Sequence, residues 1–73
     1  MSSSPSQDWV SRIGATAGAV WRTLDTNGPM SVAKLIRAVG EPRETVLLAL
    51  GWLAREDKIT STERGRSREI ALR

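Results

Sequence analysis

Apolar residues in the first third of the chain recur at helical spacing. Val10, Ile13, Ala17, Val20, Trp21 and Leu24 fall within one arc of a wheel that turns about 100° per residue, and Asp8 stands where an N-cap belongs. The pattern predicts an amphipathic helix from Asp8 onward. Thr26-Asn27-Gly28-Pro29 closes it, because Asn-Gly favours a left-handed turn and Pro29 cannot continue a helix. Ahead of it, residues 1–7 are rich in serine and almost free of apolar side chains, so they are expected to form a disordered lead-in to a domain spanning 8–73.

A second, shorter stripe follows. Val32, Leu35, Ile36 and Val39 sit at i, i+3, i+4 and i+7, with Ser31 as the predicted cap at one end and Gly40 at the other. Pro42 suits the first turn of a third helix running to about Arg55, in which Val46, Ala49, Leu50 and Leu53 occupy the core-facing third. From Lys58 the period changes from 3.6 to 2. Ile59 and Ser61 alternate with Thr60 and Thr62, Glu63-Arg64-Gly65-Arg66-Ser67 forms a turn around glycine, and Ile70 and Leu72 alternate with Glu69 and Ala71. This is a β-hairpin, and a hairpin is only marginally stable alone, so Ile59, Ile70 and Leu72 are expected to pack on the helices. Three helices and a C-terminal hairpin give an α+β domain with the element order of a winged helix-turn-helix, with room for a short strand at residues 29–31 pairing with the hairpin.

Composition narrows what such a domain can do. At 73 residues the chain supports one domain with a small core, burying roughly 60% of its extended surface. It has no cysteine and no histidine, which removes disulfides, the commonest transition-metal ligands, the thiol nucleophile and the usual general base. An enzyme is therefore not expected, nor a cofactor or small-molecule substrate. The adjacent acids Glu56 and Asp57 lack any second cluster, and the task expected of them is pairing with Arg55 and Lys58. No apolar run reaches membrane-spanning length and the N-terminus lacks signal-peptide features, so the expectation is a cytoplasmic protein without a membrane partner.

Charge is unevenly placed. Residues 1–26 and 27–57 each balance to zero, and the whole net charge of +3 belongs to residues 58–73, where five cations face two carboxylates. A basic C-terminal end points to an anionic partner.

Local sequence adds to this reading. The stretch Ile13 to Trp21, followed by Gly28, Ser31 and Leu35, and above all the run Ala49-Leu50-Gly51-Trp52-Leu53-Ala54-Arg55-Glu56-Asp57-Lys58-Ile59, resembles the small stand-alone winged helix-turn-helix proteins of bacteria and archaea. The resemblance covers about residues 10–72. It implies the winged fold and a DNA-binding architecture, and it carries over no catalytic or binding residue.

Two surfaces compete for the partner. Arg64, Arg66 and Arg68 crowd the hairpin tip, which in a winged fold can lie along a minor groove or the phosphate backbone; Lys58, Arg43 and Arg55 are the supporting cations, and for base reading through the third helix Arg43 and Arg55 are the candidates with Thr45 a minor contributor. On this reading the chain is a DNA-binding transcriptional or chromosome-associated regulator. The third helix meanwhile presents Glu44, Leu48, Gly51 and Arg55 outward, a poor set of base-reading groups. Its apolar surplus supports the alternative of a protein-interaction or homodimerisation module using Leu48 and Trp52. Leu48 is expected to be exposed and Trp52 to fold against the hairpin.

Overall fold

A computed structural model describes the backbone of residues 5–73 and the side chains from Asp8 onward. The chain forms α1 (Pro5–Asn27), β1 (Met30–Ser31), α2 (Val32–Val39), α3 (Arg43–Arg55), β2 (Ile59–Arg64) and β3 (Ser67–Leu72). The strands make one antiparallel sheet in the order β1-β3-β2. This is the α+β winged arrangement that the periodicity predicts, including the short strand before α2.

α1 begins three residues earlier than expected. Pro5 tolerates the first helical turn because its missing N–H has no partner to make there, and Asp8 lies in that first turn, where a negative charge complements the helix dipole. Residues 5–7 are thus helical, while the rest of the proposed lead-in, residues 1–4, lies outside the described residues. The helix closes as predicted, with Gly28 at φ 79° donating its N–H to the Leu24 carbonyl at 2.8 Å.

The buried arc of α1 is rotated relative to the sequence expectation. Ala17, Val20 and Leu24 are buried as predicted, but Thr16 is buried on one edge, and on the other Trp21 remains 39% exposed, as does Val10 at 47%. Val10 lies in the N-terminal part of α1, on the same edge of the helix as Trp21. No fully buried side-chain polar atom among the described residues lacks a partner.

Helix α2 is bounded by the two caps its sequence specifies. Ser31, in extended conformation, accepts a hydrogen bond from the Lys34 N–H at 3.2 Å, and the N–H of Gly40 reaches the Ile36 carbonyl at 3.3 Å. In α3, Pro42 occupies the N-cap rather than the first turn, since its ψ of 141° is still extended. The predicted core positions Val46, Ala49, Leu50 and Leu53 are all buried, joined by Thr45. The helix ends in a Schellman arrangement: Asp57 adopts φ 61°, the Asp57 N–H bonds the Ala54 carbonyl and the Lys58 N–H bonds the Leu53 carbonyl, both at 3.0 Å. That reversal aims the next residue, Ile59, back into the core.

Ladder pairing sets the faces of the sheet. Ile59 pairs with Leu72, Ser61 with Ile70 and Glu63 with Arg68, so these six share one face, while Thr60, Thr62, Arg64, Ser67, Glu69 and Ala71 share the other. Met30 joins the first face opposite Ile70. Ile59 and Ile70 are buried, with Met30 and Leu72 packed against the same cluster. Beyond Ser61 every residue of the hairpin through Arg68 is exposed, so its tip projects from the body as a wing. A two-residue turn of Gly65 and Arg66 makes the reversal, and only Gly65 needs a positive φ, 61°, as the first central residue of a II′-type hairpin does.

The burial map yields a stability contrast. Leu35→Ala removes a fully buried side chain and is expected to cost about 2–5 kcal/mol, a large part of the total stability of a domain this size. Leu48→Ala, on the exposed face of α3, is expected to stay within about 0.5 kcal/mol. Urea denaturation followed by circular dichroism, at protein concentrations too low for self-association, measures both.

Candidate nucleic-acid interface

Three of the six candidate cations come together. Arg43 is the first residue of α3, Arg66 lies in the wing turn and Arg68 is the second residue of β3, yet all three line one concavity of about 420 Å³ whose remaining wall is Ser31, Val32, Ala33, Leu47 and Ser67. Two helix N-termini border it, that of α2 at Ser31 to Ala33 and that of α3 at Arg43. Peptide dipoles make such ends positive, so they add to the guanidinium charge rather than offset it. A cation at a helix N-terminus is opposed by the helix dipole, so the charge of Arg43 does not help α3.

Two of the three wing arginines are tied to neighbouring side chains rather than left free. Arg64 Nε donates to Glu69 Oε1 at 3.0 Å on the face turned away from the core. On the opposite face Arg68 Nη1 donates to Ser61 Oγ at 2.7 Å, and its Nη2 lies 3.6 Å from Glu63 Oε2. These are diagonal and direct cross-strand pairs, the contacts a hairpin register makes between neighbouring side chains. Arg43 and Arg66 have no ion pair or side-chain hydrogen bond among the described residues.

The other candidates lie elsewhere. Arg55 is at the far end of α3 from Arg43, and Arg64 faces the back of the wing. Lys58 lines a separate concavity of about 480 Å³ between α1 and α3, with Gly14, Ala17, Gly18, Trp21, Arg22, Trp52 and Leu53. Trp52 stays 45% exposed there, beside Trp21 of α1, where the expectation had it folded away against the hairpin. Leu48 is 41% exposed, as expected. The acids at the end of α3 pair differently from the expectation: Asp57 meets Arg73 at 3.3 Å, since β3 returns its C-terminal end to that corner, and Arg55 and Lys58 take no part.

Sequence reading missed the α2 N-terminus as part of the interface. The signal was present in Ser31, which caps α2 and also pairs with Glu69 in the sheet, so it ties the start of α2 to the wing.

Comparison with known proteins agrees with this fold. Residues 7–72 match the family model described as a winged helix-turn-helix domain (DUF2582). The chain is 41% identical over 56 residues to the uncharacterized protein MJ1608 of Methanocaldococcus jannaschii, covering 73% of this chain and 79% of that one. It is also similar to the solution NMR structure of protein BT2368 from Bacteroides thetaiotaomicron, with a TM-score of 0.77 and 37% identity, covering 85% of this chain and 76% of the other. The chain belongs to this winged helix-turn-helix family.

Because Arg64, Arg68 and Glu63 are exposed and Glu69 is only partly buried, neutralising a carboxylate with Glu63→Gln is expected to lower stability by less than about 1 kcal/mol, and with Glu69→Gln by about 1 kcal/mol. Thermal or urea denaturation of the two variants checks this.

Proposed function

We propose that this winged helix-turn-helix protein binds double-stranded DNA, gripping the phosphate backbone in the concavity between the wing and the N-terminal ends of α2 and α3, as a transcriptional or chromosome-associated regulator. The observation that carries the reading is the convergence of Arg43, Arg66 and Arg68, from two separate elements, on one groove bordered by two helix N-termini. The fold supports the same partner, since helix-turn-helix domains are built to dock on DNA.

Electrostatics decides how much the wing ion pairs matter. An exposed pair contributes at most about 1 kcal/mol, whereas a guanidinium facing phosphate makes charge-assisted, often bidentate hydrogen bonds and releases condensed counterions. Arg68 therefore exchanges Glu63 for phosphate at small cost. Glu63 and Glu69 act as weights against binding: they lower the local positive potential without blocking the groove.

Sequence selectivity is expected to be slight. Base reading in a major groove requires donors and acceptors on the exposed face of the recognition helix. On α3 that face carries Glu44, Leu48, Gly51 and Arg55, with Leu47 and Trp52 on its flanks. The contacts available to DNA are backbone contacts, which position a protein and do not specify a site.

Fluorescence anisotropy with a duplex of about two helical turns tests the reading. Three phosphate contacts predict a slope of log K against log salt near −3, and Arg66→Ala or Arg43→Ala is expected to reduce its magnitude by about 1. Arg64→Ala, on the back of the wing, is expected to change the slope little, while the combined Glu63→Gln and Glu69→Gln variant binds more tightly than the parent. A salt-independent affinity, or one that survives loss of Arg43 and Arg66 together, overturns the proposal.

A further inference from the structure

The outward stripe of α3 is apolar in the middle and oppositely charged at its ends. Glu44, Leu48, Gly51 and Arg55 succeed one another at four-, three- and four-residue steps, all exposed, on the side of the helix opposite its buried residues. Leu47 at 39% and Trp52 at 45% exposure flank the stripe on either side. The two charged ends are about 16 Å apart along the axis, so they cannot pair with each other, and neither takes part in an ion pair among the described residues.

We infer that this face is the interface of a symmetric homodimer in which α3 packs antiparallel against α3 of a second copy. The stripe is self-complementary about a two-fold axis passing between Ala49 and Leu50. That axis brings Glu44 level with Arg55 of the second copy, and Arg55 level with its Glu44, closing two identical ion pairs. In the centre it brings each Leu48 level with Gly51 of the other chain. Side chains at Leu47 gather along one flank of the contact and those at Trp52 along the other.

Gly51 supports the arrangement independently of charge. A Cβ built there meets nothing within 4 Å, and the residue is exposed in the middle of a helix. The monomer thus gains nothing from glycine at a position where alanine is the better helix former. A gap that the fold itself leaves open is filled when Leu48 of a partner enters it, and closed isologous contacts need this kind of large-against-small, plus-against-minus pairing across the axis. Leu47, on one flank of the stripe, also lines the wing groove, so the contact borders that groove, and association is measured without nucleic acid present.

Sedimentation equilibrium across about 10 µM to 1 mM tests the inference, since a patch of this size predicts a weak dimer, with a dissociation constant on the order of tens to hundreds of micromolar. The wild-type mass is expected to rise toward twice that of the chain. Glu44→Arg and Arg55→Glu each place like charges across the axis and are expected to weaken association by about tenfold or more. An equimolar mixture of these two variants restores opposite charges at both contacts and is expected to associate at least as well as the wild type, as is the double variant. Circular dichroism confirms that each variant is folded. Gly51→Ala supplies a second readout: it raises the melting temperature of dilute protein while weakening association. A wild type that stays monomeric up to about 1 mM overturns the inference, and so does a mixture of the two reversed variants that fails to associate.

Discussion

The face that α3 turns to α1 governs the rest of this domain. Val46, Ala49, Leu50 and Leu53 meet Ala17, Val20 and Leu24, and Leu35 of α2 completes the helical part of the cluster. With a core this small, each of these side chains is a substantial fraction of what holds the fold together. The sheet is added to the cluster through Ile59 and Ile70, with Met30 and Leu72 at its margin. Between Ser61 and Arg68 no residue of the hairpin contributes, and this is why the wing stands free.

A wing anchored only at its base suits a polyanion. Its arginines sit on opposite faces of a two-stranded ribbon, and the ribbon's own carboxylates hold Arg64 and Arg68 in place. Such pairs organise the guanidinium groups in solvent without committing them, because water screens the attraction and the next anion competes on equal terms. Arg66, in the turn, has no such tether. The groove beside it gains further positive potential from backbone dipoles, which do not appear in any count of charged residues.

Helix α3 serves two surfaces with one side. Its first residue, Arg43, faces the wing groove, while the stripe from Glu44 to Arg55 faces away from the core. The composition of that stripe is a poor match for base edges and a good match for its own reverse. On the readings proposed above, the third helix pairs with a second copy and polyanion contact falls to the wing.

Much of this was legible in the chain. The α1 stop at Gly28, the caps Ser31 and Gly40, the buried set of α3 and the hairpin with its glycine turn all follow from interactions between residues a few positions apart, where spacing and residue type are sufficient. The exposure of Leu48 was legible for the same reason, since one helix cannot bury residues on every side. The rotation of the α1 arc toward Thr16, the exposure of Trp21 and Trp52 and the pairing of Asp57 with Arg73 depended on how the elements meet. So did the candidate interface. Sequence identified Arg43, Arg66 and Arg68 as cations but could not separate them from Arg55, Arg64 and Lys58, because proximity between α3 and the wing is set by the register of β1 on β3 and by the reversal at Asp57. Local propensity acts over one or two turns of chain; which distant side chains share a groove is decided only when the core closes.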